Sequence, residues 1–336
     1  MSDALWMSSL AALIASAGLT ALAVRAGVLD FPTARSSHDH PTPRAGGLGI
    51  VAGLGAGALA AAMTDAPASE MGALLACVAL FAAIGLADDL ISLPAKLKFA
   101  VFAGLCLILA WVAGPVTRLA FTAEAGVAVP MGVGLAGSAL FVFVVVNAVN
   151  FMDGSDGMLA AVMAPAGLGL CIAGLVSGTG AASLIGVSLS GALAGFVIFN
   201  RPRARIFAGD VGSLCAGAAY AGAALAMAGQ GFSGSLWLAP LFVLVFLADV
   251  LLTLLRRLRR GRLSLDAHRE HAYQRLLQRG WSHGAVALVY GGLTCAIVLS
   301  GLIAAHAHDR VAPGVCAVWV VVLSVLYRQV GEPDAA

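Results

Sequence analysis

The feature that most constrains this chain is a long apolar run that recurs from one end to the other. Stretches broken by polar residues, Gly or Pro fall near 4–24, 46–63, 71–87, 98–114, 133–149, 158–176, 181–199, 212–228, 236–255, 284–305 and 311–327, eleven in all. A bilayer's hydrocarbon core is about 30 Å thick and takes roughly 20 apolar residues of helix. Charged residues make up 11% of the chain, against about 25% in a soluble domain, so the solvent around most of it is lipid. The expected fold is an all-α, polytopic transmembrane bundle of about eleven spans, a single membrane domain over residues 1–336. Its 41 glycines suit helices that approach closely in a membrane. The runs at 46–63 and 133–149 are short and glycine-rich.

The first run starts directly after Met-Ser-Asp, and Arg25 follows it. A cleaved signal peptide has the opposite polarity, so 4–24 reads as a retained span. All six cysteines fall inside apolar runs with no CxxC, which argues against a disulfide framework or a zinc site. A net charge of +2 gives no reason to expect nucleic acid.

Orientation follows from the basic residues. With the N-terminus outside, 17 of the 19 Lys and Arg residues fall in the inside segments, leaving only Arg118 and Arg310 outside. That is the imbalance of the positive-inside rule. It predicts five polar loops on the cytoplasmic face.

The first loop, Asp30 to Gly47, is shaped by Pro and Gly and offers Arg35, His38 and Arg44 as cationic donors suited to phosphate. The second places Asp88 and Asp89 directly after a span, with Lys96 and Lys98 before the next. Adjacent carboxylates beside hydrocarbon repel and are costly to desolvate, so a cation or a proton-transfer role is expected there. The third, Asn147-Ala-Val-Asn150-Phe-Met-Asp153-Gly-Ser-Asp156-Gly157, holds only amides and carboxylates. It resembles part of a calcium loop but lacks the later Glu of an EF-hand, and its groups suit a nucleobase, a ribose or a metal.

The fourth loop brings Arg201, Arg203 and Arg205 to Gly209-Asp210-Val-Gly-Ser213 at a helix start, where backbone donors favour anions. The fifth, over 256–283, is strongly basic and carries His268-Arg-Glu-His271-Ala-Tyr273-Gln-Arg275. This is not HExxH, so a zinc protease is not indicated. The imidazoles and Arg275 suit a diphosphate, and part of the Arg run suits lipid headgroups. Asp249, near the end of its run, reads as a supporting acid. Hard oxygen ligands without thiolates point to Mg²⁺ held with substrate phosphates, and the best-matched chemistry is phosphoryl transfer on a diphosphate at the membrane surface.

At these motifs the sequence resembles the polyprenyl-phosphate N-acetylhexosamine-1-phosphate transferases, a superfamily that includes the phospho-N-acetylmuramoyl-pentapeptide transferases. The resemblance runs from Asp30 to about His283. It rests on Arg35-Ser-Ser-His38 with Pro43-Arg44-Ala-Gly-Gly47, Gly85-Leu-Ala-Asp88-Asp89 with Lys98, the Asn147–Gly157 loop, Phe207-Ala-Gly-Asp210-Val-Gly-Ser213 and the His268–Arg275 motif.

The family implies attack of undecaprenyl phosphate on the β-phosphorus of a UDP-N-acetylhexosamine, with UMP leaving and Mg²⁺ offsetting charge, in the bacterial inner membrane. By motif, it implies Asp88, with Asp89, as the group that deprotonates or orients the lipid phosphate, and Asp210 as metal ligand with Asn150 second. It implies Lys98 on the lipid phosphate, Asn147, Asp153 and Asp156 on the uridine side, and His268 and His271 on the diphosphate. The His-x-x-His-x-Tyr-Gln-Arg pattern departs from the three consecutive histidines of the muramoyl branch. It resembles the O-antigen and capsule branch, which uses GlcNAc or deoxy-amino sugars such as FucNAc or QuiNAc. The muramoyl-pentapeptide reaction and, from another class, cation-coupled transport are the alternatives. Transporters place acids near midplane in repeated halves, whereas here they stand at loop ends. Monomer and homodimer are both left open.

Overall fold

Glycine and alanine decide how closely these helices pack. The computed structural model describes residues 1–27, 29–30, 42–43, 45–64, 68–122, 125–229, 235–261, 269–307 and 311–331. In chain order the helices are α1 (Ser2–Ala26), α2 (Gly47–Ala62), α3 (Ala68–Ile91), α4 (Ala95–Ala113), α5 (Met131–Met152), α6 (Met158–Ser177) and α7 (Gly180–Asn200). They continue as α8 (Gly209–Gly229), α9 (Ser235–Leu241), α10 (Leu244–Arg259), α11 (Ala272–Gln278), α12 (His283–Ala307) and α13 (Val311–Gln329). Two short antiparallel pairs complete the described chain: β1 (Leu29–Asp30) with β2 (Thr42–Pro43), and β3 (Arg118–Ala120) with β4 (Gly126–Ala128).

Helix α8 forms the axis, packed against α2, α3, α4, α5, α6, α7 and α9. Between helices in lipid there is little hydrophobic drive, so close van der Waals contact and hydrogen bonds must supply the association. The sequence provides for both. A Cβ on Gly217 would lie 2.9 Å from Val146 Cα, and one on Gly212 would lie 2.7 Å from Gly47 Cα. On α7, a Cβ on Gly191 would come within 2.4 Å of the Ser9 carbonyl, and Ser16 Oγ donates to Ala192 O at 2.7 Å. Helices α1 and α13 lie at the rim, with Trp6, Leu10, Ile14, Val318 and Val321 exposed where a bilayer would cover them.

The eleven expected spans need correction. Among the described residues, nine helices are long and apolar enough to cross a membrane, and α2 is a shorter apolar helix. At 16 residues, α2 is about 24 Å long, which fits its glycine-rich run. The run at 236–255 is not one continuous helix. It divides into α9, which contains Pro240, and α10, which ends on Arg256, Arg257 and Arg259. The interruption at 242–243, a break that average hydropathy does not register, follows Pro240, and Tyr220 Oη donates to the Ala239 carbonyl at 2.7 Å.

The connections α3–α4, α5–α6 and α7–α8, together with α11, meet at one end of the bundle. The first polar loop joins them where Gly46 and Gly47 donate to Phe207 O and Ala208 O, both at 2.9 Å. At the other end lies the β3–β4 hairpin, whose Phe121 O accepts from Trp237 Nε1 of α9.

Candidate active site

The N-terminus of α8 leaves backbone N–H groups without helical partners, and α3 supplies the acceptor. Asp89 Oδ1 accepts from Asp210 N and Oδ2 from Val211 N, each at 3.1 Å. A carboxylate there also meets the positive end of the helix dipole. The approach requires a glycine one turn earlier, because a Cβ on Gly85 would lie 2.5 Å from Asp210 O.

Its neighbour Asp88 turns to the other side. Oδ1 accepts from Leu93 N at 2.9 Å, and Oδ2 lies 2.6 Å from Lys98 Nζ. The same ammonium lies 2.7 Å from Asp210 Oδ2. From α5, Asn150 Nδ2 donates to Asp210 Oδ1 at 2.9 Å and to Ser213 Oγ at 2.8 Å. Asp88, Lys98 and Asp210 keep side-chain exposures of 21%, 32% and 26%, so the group is open to a substrate.

The model of glycosyl transferase family 4 matches residues 71–228, the segment carrying all of these side chains. The chain is 33% identical over 298 residues to the decaprenyl-phosphate N-acetylglucosaminephosphotransferase of Mycolicibacterium smegmatis, covering 80% of this chain and 73% of that protein. It is 32% identical over 296 residues to the protein of the same name from Mycobacterium tuberculosis, with the same coverage. It is 34% identical over 213 residues to a phospho-N-acetylmuramoyl-pentapeptide-transferase of Synechococcus, covering 60% of this chain and 58% of that one.

This chain belongs to glycosyl transferase family 4.

In this family-4 transferase the negative charge exceeds what Lys98 can neutralise. Asp153, just past α5, has its carboxyl pushed well above the usual range, first by burial and then by the Asp210 and Asp89 carboxylates. Among the described residues, no three His, Cys, Asp or Glu side chains form a set able to hold a metal ion. The donors present nevertheless fit Mg²⁺, which typically takes one or two carboxylates and completes its shell with water and substrate phosphates. Asp210 and Asp88 could provide the hard oxygens. Asn150 turns its amide nitrogen to Asp210 and Ser213, which leaves Oδ1 as its available donor to an ion.

The rest of the third loop is tied to scaffold. Asn147 Nδ2 donates to Phe143 O of its own helix at 2.7 Å, and Asp156 Oδ2 accepts from Ala204 N at 2.9 Å. Two residues with no role in the sequence reading hold the loop. Asn200 accepts from Gly157 N and donates to Ile206 O, while His283 Nδ1 meets Ser155 Oγ at 3.0 Å and Asp156 N at 3.2 Å. Asparagine at a helix end beside an Arg-Pro-Arg loop was the available signal for the first. His283 carried none.

In the fifth loop, His271 caps α11, with its Nδ1 3.4 Å from Asp249 Oδ1 and its ring stacked on Tyr273. Asp249 also accepts from Ala272 N at 2.8 Å, Tyr273 N at 3.2 Å and Tyr290 Oη at 2.6 Å, so this acid anchors α11. Tyr273 Oη donates to Phe151 O at 3.3 Å, which seats the motif on the third loop. Glu270 receives Arg256 at 2.8 Å and Arg257 at 2.5 Å. Arg275 is buried, donating to Gly331 O with its guanidinium 4.5 Å over the Tyr327 ring. The structure therefore brings Asp88, Asp89, Lys98, Asn150 and Asp210 together, with Asp153 within electrostatic reach. His271 contacts Asp249 and Tyr273, and Arg275 contacts Tyr327 of α13 and Gly331 beyond it. Arg35, His38, Arg44 and His268 lie outside the described residues.

Proposed function

We propose that this multi-pass membrane protein transfers N-acetylglucosamine 1-phosphate from UDP-GlcNAc to a polyprenyl phosphate, undecaprenyl phosphate in a bacterium, and releases UMP. The supporting observation is the shared ammonium: Lys98 Nζ within salt-bridge distance of both Asp88 and Asp210. A lipid phosphate and a nucleotide diphosphate repel one another, so their meeting point needs positive charge and hard ligands side by side. The relatives named N-acetylglucosaminephosphotransferase match about four-fifths of the chain, whereas the muramoyl relative matches three-fifths.

In this reading an oxygen of the lipid phosphate attacks the β-phosphorus of the donor. A new P–O bond forms to the lipid, the bond from the β-phosphorus to the bridging oxygen breaks, and that oxygen leaves with UMP. The lipid phosphate is ionised at neutral pH, so Asp88 positions Lys98 and the incoming phosphate rather than supplying a strong base. Lys98 meets the lipid phosphate, and Asp210 and Asn150 face the donor diphosphate. A bound Mg²⁺ supplies divalent charge that offsets repulsion between the two anions. Asn147, Asp153 and Asp156 border the uridine side. Of the fifth-loop pair, His268 and His271, the latter caps α11, which Tyr273 seats on the third loop. Asp89 caps the N-terminus of α8 and so holds Asp210 in place.

The product begins a cell-surface polysaccharide such as O-antigen. The catalytic end faces the cytoplasm and the N-terminus lies outside the inner membrane, with the basic loops facing inward. Purified protein supplied with Mg²⁺, undecaprenyl phosphate and a panel of UDP-acetamido sugars tests this reading. UMP release is expected with UDP-GlcNAc. Release only with a UDP-deoxyamino sugar would move the assignment within the family, and release only with the muramoyl-pentapeptide donor would overturn it.

A further inference from the structure

A cavity of about 390 Å³ opens between α10, α11 and α13, and shares no residue with the Asp88–Lys98–Asp210 group. Five arginines line it: Arg256, Arg259, Arg260, Arg275 and Arg328. Glu270 pairs with Arg256 through Nη2, and among the described residues Arg259, Arg275 and Arg328 form no ion pair. Arg275 is only 2% exposed, and its Nε and Nη2 have no hydrogen-bond partner; Arg256 Nε and Nη1 are likewise buried without one. Buried donors left unpaired are costly, charged ones more so. An anion bearing several oxygens would satisfy them together.

The upper wall says what carries that anion. Leu252 lines the cavity about one turn before Arg256 on α10 and Leu255 directly before it, and Leu251 and Leu254 beside them are exposed where a bilayer would cover the helix. The site thus joins an acyl-compatible wall to a cationic floor at the level where headgroups lie. Basic pockets between membrane helices on the cytoplasmic side are suited to anionic lipid headgroups.

We infer that this cavity is a binding site for the headgroup of an anionic glycerophospholipid, held by Arg256, Arg259, Arg275 and Arg328. It lies apart from the transfer site. Arg275 then serves a membrane lipid rather than the donor diphosphate, and the inference stands whether or not the transferase reading does.

The full-length chain, reconstituted in nanodiscs of dioleoyl phosphatidylcholine with or without dioleoyl phosphatidylglycerol, tests it by native mass spectrometry of retained lipid. Wild-type protein should retain phosphatidylglycerol preferentially. The double variant Arg259→Gln/Arg328→Gln, both exposed side chains, should bind it roughly tenfold more weakly and remain folded by circular dichroism. Equal retention of the two lipids by wild type, or unchanged preference in the variant, would overturn the proposal. Inorganic phosphate added to phosphatidylcholine discs should give no variant-sensitive thermal protection; if it does, the site takes a free anion instead. A higher KM for polyprenyl phosphate in the variant, in phosphatidylcholine alone, would make the cavity part of the acceptor seat and equally contradict the assignment.

Discussion

Asp88 and Asp210 stand on different helices and hold the same ammonium, with Lys98 Nζ 2.6 Å from one carboxylate and 2.7 Å from the other. Replacing it by Lys98→Met leaves two carboxylates facing each other. All three side chains are partly exposed, so the stability loss should be about 1–2 kcal/mol, less than for a sealed pair. The same change removes the cation that would compete with a bound Mg²⁺. Thermal unfolding should show a larger Mg²⁺-induced rise in Tm for Lys98→Met than for wild type, while transfer falls by more than about a hundredfold. An identical Mg²⁺ response in both proteins would mean the ion does not bind beside Lys98.

Asp89 acts through the backbone of α8. Asp89→Ala removes the acceptor for Asp210 N and Val211 N and should cost about 1–2 kcal/mol. Asp89→Asn keeps one acceptor oxygen and should recover part of that stability. If Asp89 instead takes a proton in the reaction, Asn will be no better than Ala in rate even where it restores Tm.

Glycines at the crossing of α2 and α8 permit the site without touching substrate. A Cβ on Gly47 would lie 2.2 Å from Gly212 N, whereas one on Gly55 meets nothing within 4 Å. Gly47→Ala should therefore abolish activity and lower Tm, and Gly55→Ala should leave both near wild type. Equal tolerance in a paired activity and unfolding assay would refute the close approach.

The raised Asp153 carboxyl makes a signed pH prediction. The folded state holds this proton more tightly than the unfolded chain, so the unfolded chain binds fewer protons and stability falls as pH rises. The fall starts near the ordinary carboxyl value of about 3.9 and ends once the raised value is passed. Asp153→Asn should flatten that part of the Tm-against-pH curve in Mg²⁺-free buffer. An unchanged slope would show that neither burial nor the Asp210 and Asp89 charges raise it.

Much of this arrangement was legible in the sequence because charged side chains at the ends of apolar runs need partners. The alternation of runs and the clustering of Lys and Arg between them directed attention to loops whose Asp88, Lys98, Asn150 and Asp210 prove to be neighbours. Two things were not legible. Hydropathy averages over the turn at 242–243, so the divided α9–α10 segment read as a single span. The partner of a polar side chain is set by three-dimensional approach, so spacing could not tell that Asp89 caps α8, that Asp156 binds Ala204 N, or that Glu270 takes Arg256 and Arg257. Arg275 is the sharpest instance. Beside two histidines in sequence it suggests a phosphate ligand, yet it is buried against Tyr327 and Gly331 of the C-terminal segment, whose proximity no local motif encodes.

Isotope position reads directly which bond breaks. UDP-GlcNAc carrying ³²P at the β-phosphorus and, separately, at the α-phosphorus is supplied with undecaprenyl phosphate and Mg²⁺. The β-label should appear in the lipid fraction and the α-label in UMP, with both transfers lost in Asp88→Asn and Asp210→Asn proteins that retain wild-type helicity. Recovery of both labels in UDP would place the attack at the sugar carbon, and undiminished transfer by either variant would remove the shared-ammonium site from the chemistry.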